Sequence, residues 1–212
     1  ARHLLMKPAS RPEAGKVRII GGRWRGTRLS VPSSPGLRPS SDRVRETLFN
    51  WLMPVLPGAS VLDLFSGTGA LGLEAVSRGA ARAVLVERDA ALAQALRDVS
   101  ARLSAQDQVE VVQAEAVGWL QRQTAGSFDL AFVDPPFGAE LWQPALAALL
   151  PHLAPSAWLY LESPLEITPS LPPDWALHRE GRTREVRFAL YRAPSSRAAD
   201  TLNGDASMAV PE

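Results

Sequence analysis

From Ser60 onward, short apolar runs alternate with segments whose apolar positions recur every three or four residues. Residues 61–65 (Val-Leu-Asp-Leu-Phe) form a predicted buried strand, residues 71–76 the helix that follows, and residues 83–87 a second strand. Leu92, Leu96, Val99 and Leu103 are spaced four, three and four apart, which marks a helix. Residues 109–112 give a third strand and a short helix runs through Trp119 and Leu120; residues 128–133 give a fourth strand. Leu146, Leu149, Leu150 and Leu153 line another helix before a fifth strand at 158–161. Strands and helices in this order predict an α/β fold, a mainly parallel sheet with helices on both faces. Residues 175–179 and 185–191 are extended stretches around Gly181 with no helix between them, which predicts an antiparallel pair at the sheet edge.

Ahead of this domain the periodicity changes. Val17-Arg18-Ile19-Ile20 and Thr27-Arg28-Leu29-Ser30-Val31 alternate partially, and a glycine-rich stretch at 21–26 joins them, so a β-hairpin is predicted. After a loop at 32–36, Ser40 or Ser41 caps a helix running to Leu52, with Val44, Leu48 and Leu52 on one face. The chain is therefore divided into a hairpin-helix extension at 16–57 and a main domain at 58–193. Residues 1–15 and 194–212 lack periodicity and are expected to be disordered.

With no cysteine, disulfides and thiolate metal sites are excluded. His3, His152 and His178 show no ligand spacing, so no metal is expected. No apolar run approaches the ~20 residues of a membrane span, and no secretory signal is evident, so a cytoplasmic monomer is expected. The net charge of +1 conceals an asymmetry: residues 1–50 hold eleven Lys/Arg against three Asp/Glu, a local +8, and the remainder carries −7. A basic front on an acidic body suggests a polyanionic partner, with Arg18, Arg23, Arg25 and Arg28 of the hairpin as phosphate contacts. Arginine outnumbers lysine 21 to 2 along the whole chain, a bias that dilutes this signal.

Candidate chemistry sits at two strand ends. Asp63-Leu64-Phe65-Ser66-Gly67-Thr68-Gly69-Ala70-Leu71-Gly72 joins the first strand to its helix with the Gly-x-Gly-x-x-Gly spacing of a cofactor turn. Glu87 lies 20 residues past Gly67, at the end of the second strand, where a carboxylate accepts from both ribose hydroxyls of an adenosine. The fold could hold NAD or S-adenosylmethionine. Asp63 adds negative charge beside a pyrophosphate but suits a sulfonium and an ammonium, which favours the second. Phe65 and Ser66 belong to the same turn, and Glu115 with Ala116, after the third strand, are candidates to contact the adenine edge or ribose, Glu115 alternatively facing water. Asp134-Pro135-Pro136-Phe137 then follows the fourth strand. Two prolines fix φ and remove backbone donors, leaving the Asp134 carboxylate and the Pro135 carbonyl as acceptors for an –NH2 group. Phe137 offers a flat face to a base.

These segments together resemble a known family. Arg18-Ile19-Ile20-Gly21-Gly22, Arg38-Pro39-Ser40 with Asp42-Arg43-Val44-Arg45-Glu46, the Asp63-to-Gly69 turn and Asp134-Pro135-Pro136-Phe137 occur in the order found in the bacterial 16S rRNA (guanine-N2)-methyltransferases. The resemblance implies a class I, Rossmann-like seven-stranded fold with S-adenosylmethionine as cofactor. It implies a substrate of 16S rRNA in a partly assembled small subunit, with Glu87 on the ribose and the flipped guanine held by Asp134 and Phe137. It also adds Arg38, Arg43 and Arg45 to the RNA-binding front. Ser40 where threonine is more usual, and Ala114-Glu115-Ala116 at the third-strand acid, depart from the family pattern. A DNA adenine-N6 methyltransferase could use the same tetrapeptide but normally carries a larger recognition region; a non-catalytic RNA-binding module is the other alternative.

Overall fold

A computed structural model describes residues 17–32, 41–124, 126, 128–136 and 141–195. Arg38, Pro39, Ser40, Phe137, the segment 1–15 and all but the first two residues of the segment 194–212, both expected to be disordered, lie outside these residues. The element order is β1 (Val17–Arg18), β2 (Arg28–Leu29), α1 (Asp42–Leu52), β3 (Ser60–Asp63), α2 (Ala70–Ser77), β4 (Arg82–Glu87), α3 (Ala90–Arg102), β5 (Val109–Gln113), α4 (Ala116–Arg122), β6 (Phe128–Val133), α5 (Trp142–Leu149), a 3-10 turn (Leu150–His152), β7 (Leu153–Pro164), β8 (Ala176–Arg182) and β9 (Val186–Arg192).

β1 and β2 pair antiparallel as a separate ribbon, and the other seven strands form one sheet in the order β5-β4-β3-β6-β7-β9-β8. The pairs β5/β4, β4/β3, β3/β6 and β6/β7 are parallel; β9 runs antiparallel to both β7 and β8. The chain thus starts in the middle, winds outward through β4 and β5, and returns to the other side of β3. The turn in strand order falls between β3 and β6, where their carboxyl ends open a crevice.

The alternation along the strands sorts the core into two layers. Val61, Ala83, Leu85, Leu130, Phe132 and Tyr160 pack with apolar side chains of α1, α2 and α3. Leu62, Val84, Val86, Ala131, Val133, Leu159 and Leu161 pack with α4 and α5. Val17, Ile19 and Leu29 of the hairpin belong to the first of these layers, so the N-terminal extension shares a core with the main domain.

Leu153 departs from the helix its spacing predicts. Pro151 stands in a short 3-10 turn and the chain is already extended at Leu153, which opens a 12-residue β7. The helix start is resolved in favour of Ser41, whose side chain accepts from the Val44 N–H at 3.2 Å. The chain stays tied to the sheet past β9, since Ala193 N–H donates to Ala157 O at 2.8 Å.

Candidate active site at the carboxyl edge

The turn after β3 is held on backbone atoms. Ser66 N–H donates to Val86 O at 2.9 Å and Gly69 N–H to Ser66 O at 2.8 Å. Gly69 is the α2 N-cap at φ +79°, and a Cβ there would meet Leu96 Cδ2 at 2.5 Å. A Cβ on Gly72 would lie 2.2 Å from Leu85 Cδ2, so this glycine lets α2 press against β4. The three glycines at this spacing therefore set the turn and seat the helix.

Asp63 is 2% exposed and accepts from the Gly72 N–H at 3.0 Å. Burial pushes its carboxyl up to about 6, opposed by the Gly72 amide and Ser66 hydroxyl and reinforced by the charge of Glu87. The Ser66 hydroxyl is close enough to act on Asp63, yet among the described residues it completes no well-formed hydrogen bond. Glu87 is half-buried, and burial raises its pKa against the N–H groups of Asp89 and Gly67. Two desolvated carboxylates and an unsatisfied hydroxyl thus ring a turn built for close backbone approach. Such a donor set fits a cationic, adenosine-bearing cofactor.

Glu115 has a role beyond the one assigned from sequence. It is the N-cap of α4, accepting from Val117 N–H at 3.0 Å and Gly118 N–H at 2.7 Å. Its carboxylate is thereby committed to the helix, and the first helical amide, that of Ala116, becomes the candidate cofactor contact at this position.

Asp134 and Pro135 leave β6 beside this turn. Asp63 pairs with Phe132 across the parallel ladder, and Leu64 N–H donates to Phe132 O at 3.1 Å, so both loops emerge side by side. Asp134 is half-buried, Pro135 buried and Pro136 exposed. Asp63 and Glu87 share the parity of Val61 and Leu85, which puts both on one face of the sheet, and the charge of Asp134, in the loop after β6, acts on Tyr160 of that face. Glu162 on β7 has the same parity, two residues past Tyr160, and went unnoticed in the sequence. The available signal is an acid directly after an apolar run, as at Glu87 and Asp134.

The structure divides the predicted basic front. Arg45 is 0% exposed and is corrected from a phosphate contact to an internal tie. Its guanidinium donates to Arg18 O at 2.7 Å and Asp42 Oδ1 at 2.8 Å, and approaches Glu74 Oε1 at 3.5 Å. Burial lowers its pKa, countered by Glu74 and Asp42. Glu74, itself fully buried on α2, accepts from Ile20 N–H at 2.7 Å, Gly21 N–H at 2.9 Å and Arg78 Nε at 3.0 Å. No sequence pattern singled it out. Ser77 at the end of α2 completes the dock: its hydroxyl accepts from Trp24 N–H at 3.0 Å and donates to Gly21 O at 2.6 Å. Gly22 has φ +76°, and a Cβ there would fall 2.0 Å from Ser77 O.

Arg18, Arg23, Arg25, Arg28 and Arg43 are exposed. Arg18 lies 3.4 Å from Asp42, and Arg23 bonds to Gln108 and covers the Trp24 ring at 4.5 Å. Because Arg23 N–H meets the last residue of α2 and its side chain reaches the residue before β5, the hairpin tip sits at the amino edge of the sheet. It is separated from Asp134 by about a strand length, roughly 20 Å.

Comparison with known proteins agrees with this geometry. A family described as "Conserved hypothetical protein 95" matches residues 17–192. The chain is 46% identical over 198 residues to ribosomal RNA small subunit methyltransferase D of Escherichia coli K12, covering 92% of this chain and 99% of that protein. The protein of the same name from Haemophilus influenzae is 40% identical over 192 residues, covering 88% and 100%. The solved structure of the Escherichia coli protein yhhF superposes with a TM-score of 0.78 at 45% identity, covering 86% of this chain and 100% of that one.

Proposed function

Since the chain belongs to the ribosomal RNA small subunit methyltransferase D family, and is a class I methyltransferase that uses S-adenosylmethionine, we propose that it methylates the exocyclic N2 amine of a guanine in 16S rRNA. The observation that carries this reading is the emergence of Asp134-Pro135 from β6 directly beside the Asp63 turn, across the crevice between β3 and β6. When bound, S-adenosylmethionine supplies an electrophilic methyl group on a sulfonium.

Asp63 and Glu87 meet the cationic and ribose parts of the cofactor, and the Ala116 amide meets its adenine. On the other side of the crevice, the Asp134 carboxylate and Pro135 carbonyl accept the two hydrogens of the substrate amine. An aromatic amine is a weak nucleophile because its lone pair is shared with the ring. Fixing both N–H bonds favours a pyramidal nitrogen whose lone pair faces the methyl, and such alignment supplies roughly 7–11 kcal/mol. Asp134, or water beside it, would take the proton that the amine gives up on methylation. Phe137 stacks on the base.

Arg18, Arg23, Arg25, Arg28, Arg38 and Arg43 grip phosphates, and the position of Arg23 at the amino edge gives the RNA a footprint extending well beyond the target nucleotide. The test is transfer of labelled methyl from S-adenosylmethionine to 16S rRNA, free and in small-subunit particles, taken from cells lacking the modification, followed by mapping of the base. Label on guanine N2 supports the reading; label on adenine N6, or none on RNA, overturns it.

A further inference from the structure

Val133 and Leu161 are the last paired residues of β6 and β7, and Asp134 and Glu162 are the residues that follow them; the charges of both act on the Tyr160 phenol. Glu162 shares its face of β7 with Tyr160, whose ring meets that of Phe132 edge to face at 6.0 Å. Glu162 is 7% exposed and rigidly held. Its carbonyl accepts from Trp142 Nε1 at 3.1 Å, and its β9 partner Phe188 stacks on Trp51 at 5.6 Å. Its Oε2 accepts from the Tyr160 hydroxyl at 2.9 Å. Tyr160 is fully buried, and burial, joined by the charges of Glu162 and Asp134, lifts its pKa well above the usual value, so the phenol stays protonated and donating. A carboxylate accepts at several lone pairs, so the bond from Tyr160 sets its plane while other donors can share it.

We propose that Glu162 is the specificity-determining residue of the base pocket, accepting the N1–H of guanine while Asp134 and Pro135 hold the neighbouring N2 amine. The proposal rests on the guanine-N2 reading above. Guanine presents N1–H and N2–H2 as adjacent donors, and the two carboxylates that follow the paired residues Val133 and Leu161 are the complementary pair of acceptors. Adenine presents a lone pair at N1, which a carboxylate repels. A buried polar group built to accept a hydrogen rejects the analogue that lacks it far more strongly than a hydrophobic pocket rejects a shape.

The test uses substrate RNA carrying either guanine or 2-aminopurine at the mapped position. 2-Aminopurine keeps the amine but has a lone pair at N1. For the wild-type protein, kcat/KM should fall roughly ten- to hundredfold on 2-aminopurine. In Glu162→Gln the Tyr160 hydroxyl still donates to the side-chain oxygen, which turns the amide NH2 toward the base. That donor opposes guanine and matches 2-aminopurine, so the preference should vanish or invert while cofactor affinity is unchanged. A purely structural Glu162 predicts equal loss on both bases with the guanine preference intact, and that result overturns the proposal. So does wild-type protein that methylates both bases equally, an arm that needs no variant. Methyl on adenine would overturn the guanine reading and this inference together; N2-methylguanine with no preference between the two bases overturns this one alone.

Discussion

Replacing Asp63 by Asn should stabilise the cofactor-free protein at neutral pH while weakening its hold on S-adenosylmethionine. The buried carboxyl of Asp63 titrates at about 6, against about 3.9 for an aspartate in an unfolded chain. Its folded-state pKa is therefore raised. The group favours the fold fully below about pH 4, and this advantage is lost as the pH rises through about 6. Two units correspond to about 3 kcal/mol. Asn keeps an oxygen for the Gly72 N–H, but its amide NH2 needs a partner and returns about 1–2 kcal/mol. The net gain near pH 8 is then about 1–2 kcal/mol, or roughly 2–8 °C in Tm for a chain of this size. Thermal melts of both proteins across this range, without cofactor, measure the difference directly. It should grow between about pH 4 and 6 and level off above. With saturating cofactor the sign reverses, because the carboxylate form attracts a cation: wild-type stabilisation by ligand should increase over the same window and the variant's should stay small and flat. A wild-type-to-variant difference that does not change with pH would refute the assignment of Asp63 as the titrating group.

Asp134→Ala should abolish methyl transfer while leaving cofactor affinity within a few-fold of wild type, measured by cofactor titration; parallel loss of both would remove Asp134 from the substrate side. Glu74→Ala strands the Arg45 guanidinium and two backbone N–H groups, and denaturant unfolding should show a loss of about 3–5 kcal/mol. Gly22→Ala forces a Cβ onto Ser77 O, so hydrogen exchange at Ile20, Gly21 and Trp24 should accelerate with little change at the Asp63 turn. Neutralising Arg23, Arg25 and Arg28 together should flatten the dependence of RNA affinity on log salt by about 0.7–0.9 for each phosphate no longer neutralised. Arg45→Gln should instead lower stability and leave that slope alone.

Strand-helix alternation from Val61 to Leu161 was legible because fully buried parallel strands leave continuous apolar runs, and helices over them leave a three-four spacing. Glu87 and Asp134 are legible because each closes such a run, and Asp63 because it is a charge set inside one. Leu153 misled because an apolar residue in phase with Leu146 and Leu149 carries no mark of the 3-10 turn between them. Arg45 misled for a different reason. Composition counts charges without regard to which way they face, and the buried acid that draws Arg45 inward, Glu74, lies 29 residues along the chain on another helix. Glu162 follows the apolar run 158–161 but lies inside the longer β7, and its relation to Asp134 becomes visible only once β6 and β7 are known to pair.

Helix α2 spans eight residues, about 12 Å, with the cofactor turn at one end and the hairpin's anchor at the other. That shortness limits how the chain can be dissected. By charge, residues before about 57 look detachable, and a truncated catalytic core would be the natural preparation for crystallisation or for recombination with another recognition arm. Cutting there removes Arg45 and uncovers Glu74 in the middle of the helix whose first residue follows Gly69. The damage would not stop at RNA affinity: with only two turns of helix between anchor and pocket, a fragment lacking the hairpin should bind cofactor poorly and expose apolar surface from Leu73 and Val76. An exchange of recognition arms between related proteins would have to carry Glu74, Ser77 and Arg78 with the hairpin to remain a folded protein.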